Sequence, residues 1–358
     1  MFGFWKHRMQ NLLRISLLSI LFIYGCSEIK NKKNKQVISG YTQGTTYTII
    51  LSKPVKKVSK KAIEELLTNL DNSLSNYNAN SLIFKLNQDN GDSVFYDKND
   101  LFKTCYNKSQ EIFKLTNGAF DPSVHPLVES WGLFSKSNSI LPDSLAIDSI
   151  LNFVNFKPNI FHRYQSISKN KIFYKTIDKR FKIDFNAIAQ GFSVDIIANY
   201  LEQLNIKNYY IEIGGEIVVK GKNPDGNKWK IGIDKPIENL NERELNKIIS
   251  ISNKAIATSG NYRKFYIKNG KKYAHTINPK TGYPVTHNLL SATVIAENCA
   301  MADAFATAFM VMGVRKSINF LENHPELNLE AYFIFENKEN TLEEYLTKGM
   351  NEFTNQTD

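Results

Sequence analysis

Cysteine is nearly missing from this chain of 358 residues: there are three, and no spacing among them resembles a zinc site or a redox dithiol. Cys105 and Cys299 each fall in an apolar helical pattern and read as buried free thiols, with a disulfide between them as the alternative. Long hydrophobic runs are also lacking. The N-terminal run from Ile15 to Tyr24 has 10 residues, half of the ~20 that a membrane-spanning helix needs. No internal repeat is evident. Positive charge is in excess at +10 but is unevenly placed. Seven of the 45 Lys/Arg and one of the 35 Asp/Glu lie in the first 35 residues, which leaves 38 and 34 in the other 323, a net +4. That balance argues against a nucleic-acid partner and is compatible with anionic small ligands.

What is present at the N-terminus reads as an export signal. Lys6, His7, Arg8 and Arg14 make a basic start, the apolar run follows, and Ile23-Tyr24-Gly25-Cys26 fits a lipoprotein cleavage site. Residues 1–25 are thus expected to be a signal peptide and Cys26 a lipidation site; plain signal cleavage or an uncleaved anchor also fits the pattern. Residues 26–36 are charged and aperiodic, a flexible tether. The protein is then expected on the bacterial cell envelope, lipid-anchored and facing the periplasm. Residues 37–350 form the folded part, long enough for one large domain or two closely packed lobes.

Within it, strands and helices mix without regular alternation, which favours an α+β fold of mixed sheets with packed helices. Val37 to Leu51 reads as a strand pair around Gly44, and Ser59 caps an amphipathic helix to Leu74. Helices are expected over Leu101 to Leu115, Ile188 to Leu204, Cys299 to Gly313 and Arg315 to Asn323. Tyr209 to Lys220, Trp229 to Asp234, Ile248 to Ala257, Arg263 to Ile267, Ser291 to Ala296 and Tyr332 to Phe335 read as strands. Asn223–Gly226 and Asn269-Gly270 read as hairpin turns. Residues 135–180 read as small strands and loops, and Leu342 to Lys348 as a short closing helix.

Several polar groups stand out against this frame. Asp303 and Thr307 lie four apart in an otherwise apolar helix, so they share one face. Oxygen ligands so stacked suit a hard cation such as Mg²⁺; a capping or ion-paired Asp303 is the alternative. The segment Asp184 to Gly191 leads from a strand into a helix, where backbone groups can hold a phosphate or supply a carbonyl ligand; an ordinary capped helix start reads as well. His275 opens a loop stiffened by Pro279, Gly282 and Pro284, fit for an acid–base role or a structural one. The loop from Thr116 through Asp121 to Trp131 is aromatic and suits either a flat heterocycle or the core. Gly214-Gly215 fits a close backbone approach or a bulge, and Ala257-Thr-Ser-Gly260 with Tyr262 a phosphate turn or a plain one.

Taken in order, Gly44 to Tyr47, Leu74 to Tyr77, Asn117 to Asp121, Asp184 to Gly191, Ile213 to Gly215, Trp229 to Asp234, Ala257 to Gly260, His275 to Pro284 and Ala302 to Thr307 resemble the ApbE family, the FAD:protein FMN transferases. The resemblance covers residues 38–340 and implies a two-lobed single domain related to the T-fold. It implies Mg²⁺ as cofactor and FAD as substrate. The FMN phosphate would pass to a Thr or Ser hydroxyl of an acceptor protein, releasing AMP. Acceptors of this family carry an Asp-Gly-x-Ser/Thr-Gly-Ala-Thr-type motif, typically in a membrane redox complex. By position, Asp303, Thr307 and the Ala187 carbonyl would hold Mg²⁺. Gln43, Tyr77, Ala119, Phe120, Asp121, Asp184, Gln190, His275 and Ile277 would contact FAD. His275 and Asp303 would be catalytic, with His275 the base for the acceptor hydroxyl. Gln43, Gln190, Asn278 and Ala306 depart from the residues common at those places. FAD hydrolysis to FMN and AMP, or FAD binding without catalysis, are the competing readings.

Overall fold

The computed structural model describes residues 34–133, 141–156, 161–166, 171–236, 244–261, 265–268, 271–339 and 341–354. The signal peptide, Cys26, most of the tether, Tyr262, Arg263 and the Asn269-Gly270 turn lie outside the described residues. Among the described residues no helix is long and apolar enough to cross a membrane.

The chain opens with β1 (Gln36–Thr42) and β2 (Thr45–Leu51). Gln43 and Gly44 join them, both at positive φ (50° and 73°), as a two-residue hairpin turn requires. Helices α1 (Lys60–Leu74), α2 (Leu82–Gln88), α3 (Leu101–Leu115), α4 (His125–Ser130) and α5 (Ser144–Leu151) follow, with β3 (Phe95–Tyr96) between α2 and α3. The expected cap is present: the Ser59 side chain accepts from the Ala62 N–H. Next come β4 (Phe161–Ser166), β5 (Lys171–Thr176), α6 (Ala189–Gln203), β6 (Tyr209–Ile213), β7 (Glu216–Lys220), β8 (Trp229–Asp234), β9 (Leu245–Ile251) and β10 (Lys254–Gly260). The chain closes with β11 (Phe265–Lys268), β12 (Lys271–Ala274), β13 (Leu289–Ala296), α7 (Cys299–Met312), α8 (Val314–Asn323), β14 (Glu330–Glu336), β15 (Leu342–Leu346) and α9 (Lys348–Thr354).

Eight strands form one sheet in the order β1-β2-β6-β7-β10-β13-β14-β15, every neighbouring pair antiparallel. Period-two alternation gives the sheet two buried faces. Tyr209, Ile211, Ala255, Ala257, Ala292, Val294, Ala331 and Phe333 point to the main core beneath the helices. Ile217, Val219, Ile256, Ile295, Tyr332 and Ile334 point the other way, onto the β8–β9 hairpin and Met350 of α9. Alanines on the helix side let α7, itself alanine-rich, lie close against β10 and β13. A third, smaller core joins Leu127, Trp131, Ile147, Val154 and Ile277. Cys105 and Cys299 are both buried and free, as their apolar settings imply.

Four expectations need correction. Tyr209 to Lys220 is two strands, because Gly214 and Gly215 both take positive φ (66° and 113°) and reverse the chain. Ile248 to Ala257 is likewise split, at Asn253 in the left-handed region (φ 54°), and its halves enter different sheets. The Asn223–Gly226 turn exists, with the Gly226 N–H donating to the Asn223 carbonyl, but β7 and β8 do not pair across it. Leu342 to Leu346 is an edge strand rather than a helix: β14 offers it a free row of backbone groups, and Tyr345 stacks over Phe333 at 5.9 Å. Four helices, α2, α4, α5 and α9, fall where none was expected. α5 has its own Asp143 cap, but only Ile147 is fully buried, so its apolar signal is short.

α6 and α7 touch where a Cβ on Gly191 would stand 2.3 Å from the Cys299 carbonyl oxygen and 2.9 Å from Asp303 Cβ. Gly191→Ala should therefore cost about 1–3 kcal/mol or more by overpacking. Chemical denaturation reads this directly, and an unchanged midpoint would mean that the two helices have room to part.

Candidate active site

The α6–α7 contact is also where the polar groups gather. The Gly191 N–H donates to Asp303 Oδ2 at 3.1 Å. An uninterrupted helix would direct that N–H to the Ala187 carbonyl, four residues back. Diverting it leaves the Ala187 carbonyl without a backbone donor among the described residues. The neighbouring amides of Ile188 and Ala189 both bond back to the Phe185 carbonyl, which holds the turn open at this point. One turn along α7 from Asp303, Thr307 Oγ1 lies 3.1 Å from Ser259 Oγ on β10. Asp303 is buried, and burial pushes its carboxyl up to about 7, against the single Gly191 donor and with Asp195 adding to the rise.

Asp195, on α6, holds the start of α7 in place. Its two carboxylate oxygens accept from the Cys299 and Ala300 N–H groups (2.8 and 3.0 Å), and Asn298 caps Met301. The carboxylate neutralises free amides at the positive end of the helix. Burial still raises it to about 6.

Asp184 and Asp121 are brought together by the Asp184 N–H, which donates to the Pro122 carbonyl at 2.7 Å. Both carboxylates are buried and lifted to about 6 by desolvation. Asp121 accepts from Ser123 through its N–H and hydroxyl, Asp184 from Asn186 and Asn76. Sequence reasoning did not assign Asn76 a role. It forms a clamp with Asn87: both amides donate to the Ile183 carbonyl, and Asn87 Oδ1 accepts from the Ile183 N–H. Tyr77 stands above this group, 70% exposed as a residue, with its hydroxyl against Asn186, beside Asp184. Phe120 and Ala119 instead belong to the main core, so this segment offers backbone rather than an open ring.

Gln43 lies at the β1–β2 turn. Its Nε2 donates to Ser193 Oγ at 2.7 Å and also faces Asp71. Ser193 gives its own proton to the Ala189 carbonyl, so the amide orientation is determined, and Gln43 Oε1 is left buried without a partner. Gln190 comes to the same wall: its Nε2 and the buried Glu216 flank Gly214.

His275 is half-buried at the end of β12. Thr276 Oγ1 donates to Asn261 Oδ1 at 2.7 Å, which ties the histidine loop to the chain two residues past Ser259. Asn278 closes the loop through its N–H to Tyr283 and its carbonyl from Gly282. Ile277 is buried in the small core, and Trp131 Nε1 donates to the Gly282 carbonyl at 2.7 Å. Among the described residues no cluster of three or more His, Cys, Asp or Glu has a metal-binding arrangement. A cation here must therefore draw on mixed oxygen donors.

Fold and site define a mixed α+β protein with a buried carboxylate cluster at a helix–helix contact. The sequence profile of the ApbE family matches residues 43–333, and the chain belongs to that family. A Vibrio cholerae protein named FAD:protein FMN transferase is 35% identical over 313 residues, covering 86% of this chain and 90% of its own. A protein of the same name from Haemophilus influenzae is 33% identical, covering 90% and 91%. The solved structure of flavin transferase ApbE from Vibrio cholerae superposes with a TM-score of 0.74 at 29% identity, over 89% of this chain and 99% of that one.

Trp131→Phe replaces the buried indole with a smaller phenyl ring and removes the bond to Gly282, leaving a buried carbonyl unpaired. A loss of about 1–3 kcal/mol is expected, with weaker turnover because the histidine loop loses its tie. Denaturation and rate measurements on the same variant check both effects.

Proposed function

We propose that this protein transfers the FMN portion of FAD to a Thr or Ser hydroxyl of an acceptor protein, with AMP released. The observation that supports this most is the diverted Gly191 N–H: it leaves the Ala187 carbonyl open beside the buried Asp303 carboxylate, with the Thr307 hydroxyl one turn on. Three oxygen donors, one of them a buried anion, fit Mg²⁺. Asp303, Thr307 and the Ala187 carbonyl would hold it. Bound there, Mg²⁺ supplies positive charge to a diphosphate, which phosphoryl transfer needs more than it needs a covalent nucleophile.

The other residues bind, orient and move a proton. Asp121, Asp184, the Ala119-Phe120 backbone, Gln43 and Gln190 line the flavin nucleotide, with the exposed Tyr77 ring at the edge. His275 stands as general base. Its imidazole takes the acceptor hydroxyl proton while the hydroxyl oxygen forms a bond to the FMN phosphorus and the bond to the AMP oxygen breaks. Proton removal by a positioned side chain contributes ~10²–10⁴-fold. The Thr276–Asn261 bond and the Trp131 tie hold the imidazole in place for this step. Acceptors carrying an Asp-Gly-x-Ser/Thr-Gly-Ala-Thr-type motif in a membrane redox complex are the expected partners. Lipidation of Cys26 would place the domain beside them at the periplasmic face of the envelope; loss of labelled-lipid incorporation in Cys26→Ser tests that.

Incubation with FAD, Mg²⁺ and such an acceptor, followed by mass spectrometry, should show an added FMN on the acceptor. Free FMN without an adduct would favour hydrolysis, and binding with neither product would favour a carrier. Asp303→Asn should lose Mg²⁺-dependent turnover. His275→Ala should slow transfer by ~10²-fold or more with flavin affinity little changed.

Stability should also depend on pH in a defined direction. Asp121, Asp184 and Asp195 near 6 and Asp303 near 7 all lie above the range of an unfolded carboxyl. The folded state then holds more protons than the unfolded one across that window, so stability falls as pH rises. Thermal denaturation in chelator should show a melting temperature that drops from pH 4 to 7. Mg²⁺ should recover part of the loss, and Asp303→Asn should flatten the profile.

A further inference from the structure

Ser259 is a hydroxyl that the scheme above leaves unused. Its direction follows from β10: Ala255 and Ala257 face the helices, and Ser259 continues that alternation. Thr258 points to the opposite face, where its hydroxyl meets Thr293 at 2.9 Å. Ser259 Oγ therefore reaches α7, and Thr307 Oγ1 lies 3.1 Å away. A threonine inside a helix commonly turns its hydroxyl back to the carbonyl four residues earlier. Thr307 has Ser259 as its partner instead. As the pair stands, either oxygen can be the donor.

We propose that Ser259 is the positioning residue for the cation ligand Thr307, an inference that rests on the metal site proposed above. A hydroxyl that gives a lone pair to a cation must send its proton elsewhere. Ser259 Oγ is the acceptor within reach, so cation binding sets the direction of the bond from Thr307 to Ser259. The Ser259 proton is then released from the pair and can serve an anionic oxygen of the nucleotide. The Ala257–Gly260 segment thus orients a metal ligand from the strand end that leads directly into Asn261, the anchor of the histidine loop.

Mn²⁺ binding to the full chain, followed by electron paramagnetic resonance with and without FAD and competed with Mg²⁺, tests this. Ser259→Ala should weaken Mn²⁺ and Mg²⁺ binding by ~10–100-fold, the usual effect of losing a partner that orients a ligand. FAD affinity in chelator should not change. Ser259→Thr, which keeps the hydroxyl, should restore metal affinity to within a few-fold. Equal Mn²⁺ affinity in the wild type and Ser259→Ala would overturn the inference and leave the metal site standing. Failure of the wild type to bind Mn²⁺ under any of these conditions would overturn both. Equal loss in Ser259→Ala and Ser259→Thr, with a matching fall in metal-free melting temperature, would show a packing role only and overturn the inference as well.

Discussion

The close contact of two helices at Gly191 is the constraint on which the rest of the site depends. Only a residue without a side chain lets α6 and α7 meet at this distance. The contact carries the Asp303 carboxylate to an amide on the other helix, and that amide is the one Ala187 would otherwise use. One steric fact thus has two chemical results: a buried carboxylate held by a single donor, and a backbone carbonyl left open next to it. Asp195 reinforces the same contact from α6 by capping the first amides of α7. The contact lies within the main core, where side chains have little freedom to rearrange.

Much of the fold was legible because its signals are local. The Ser59 cap, the stop at Thr116–Gly118 and the alanine-rich run from Cys299 to Met312 mark helices whose bounds agree with the structure within a residue or so. What escaped depends on partners distant in sequence. Gly214-Gly215 and Asn253 are breaks within apolar runs, and their positive φ appears only once the chain has turned. Leu342 to Leu346 places its apolar residues at helical spacing, at 342, 345 and 346; the free edge of β14 overrides that signal. β8 and β9 cover the far face of the main sheet, a pairing no turn signal between β7 and β8 foretold.

The site was legible where spacing alone determines proximity. Asp303 and Thr307 share a face because they are four apart on a helix. The Asp184 to Gly191 segment was visible as a strand-to-helix junction, but its meeting with Asp303 is a tertiary fact. The same holds for the Asn76–Asn87 clamp on Ile183 and for the Thr276–Asn261 bond, which join segments that carry no shared local pattern. For the aromatic loop the sequence left two readings open, a flat heterocycle or the core. Phe120 packs into the core, and Tyr77 beside Asp184 presents an exposed ring.

Electrostatics favours the cation proposed for this site. Asp121, Asp184, Asp195 and Asp303 are held by backbone amides, asparagines and a serine, and none takes part in the ion pairs of the described residues, which involve other, more exposed carboxylates. Amide dipoles stabilise a carboxylate but leave its net charge in place. Burial raises the pKa of each, and the Asp195 charge adds to the rise at Asp303. A protein could have relieved this with an arginine. Leaving the charge unpaired keeps the protein-only state under electrostatic tension, and in the proposed scheme a divalent ion bringing a diphosphate would relieve it more fully than either would alone. The cation would compensate the carboxylate, and the phosphates the cation. Binding of metal and nucleotide is then expected to be mutually reinforcing, because each removes a charge that the other would leave exposed to a low-dielectric interior.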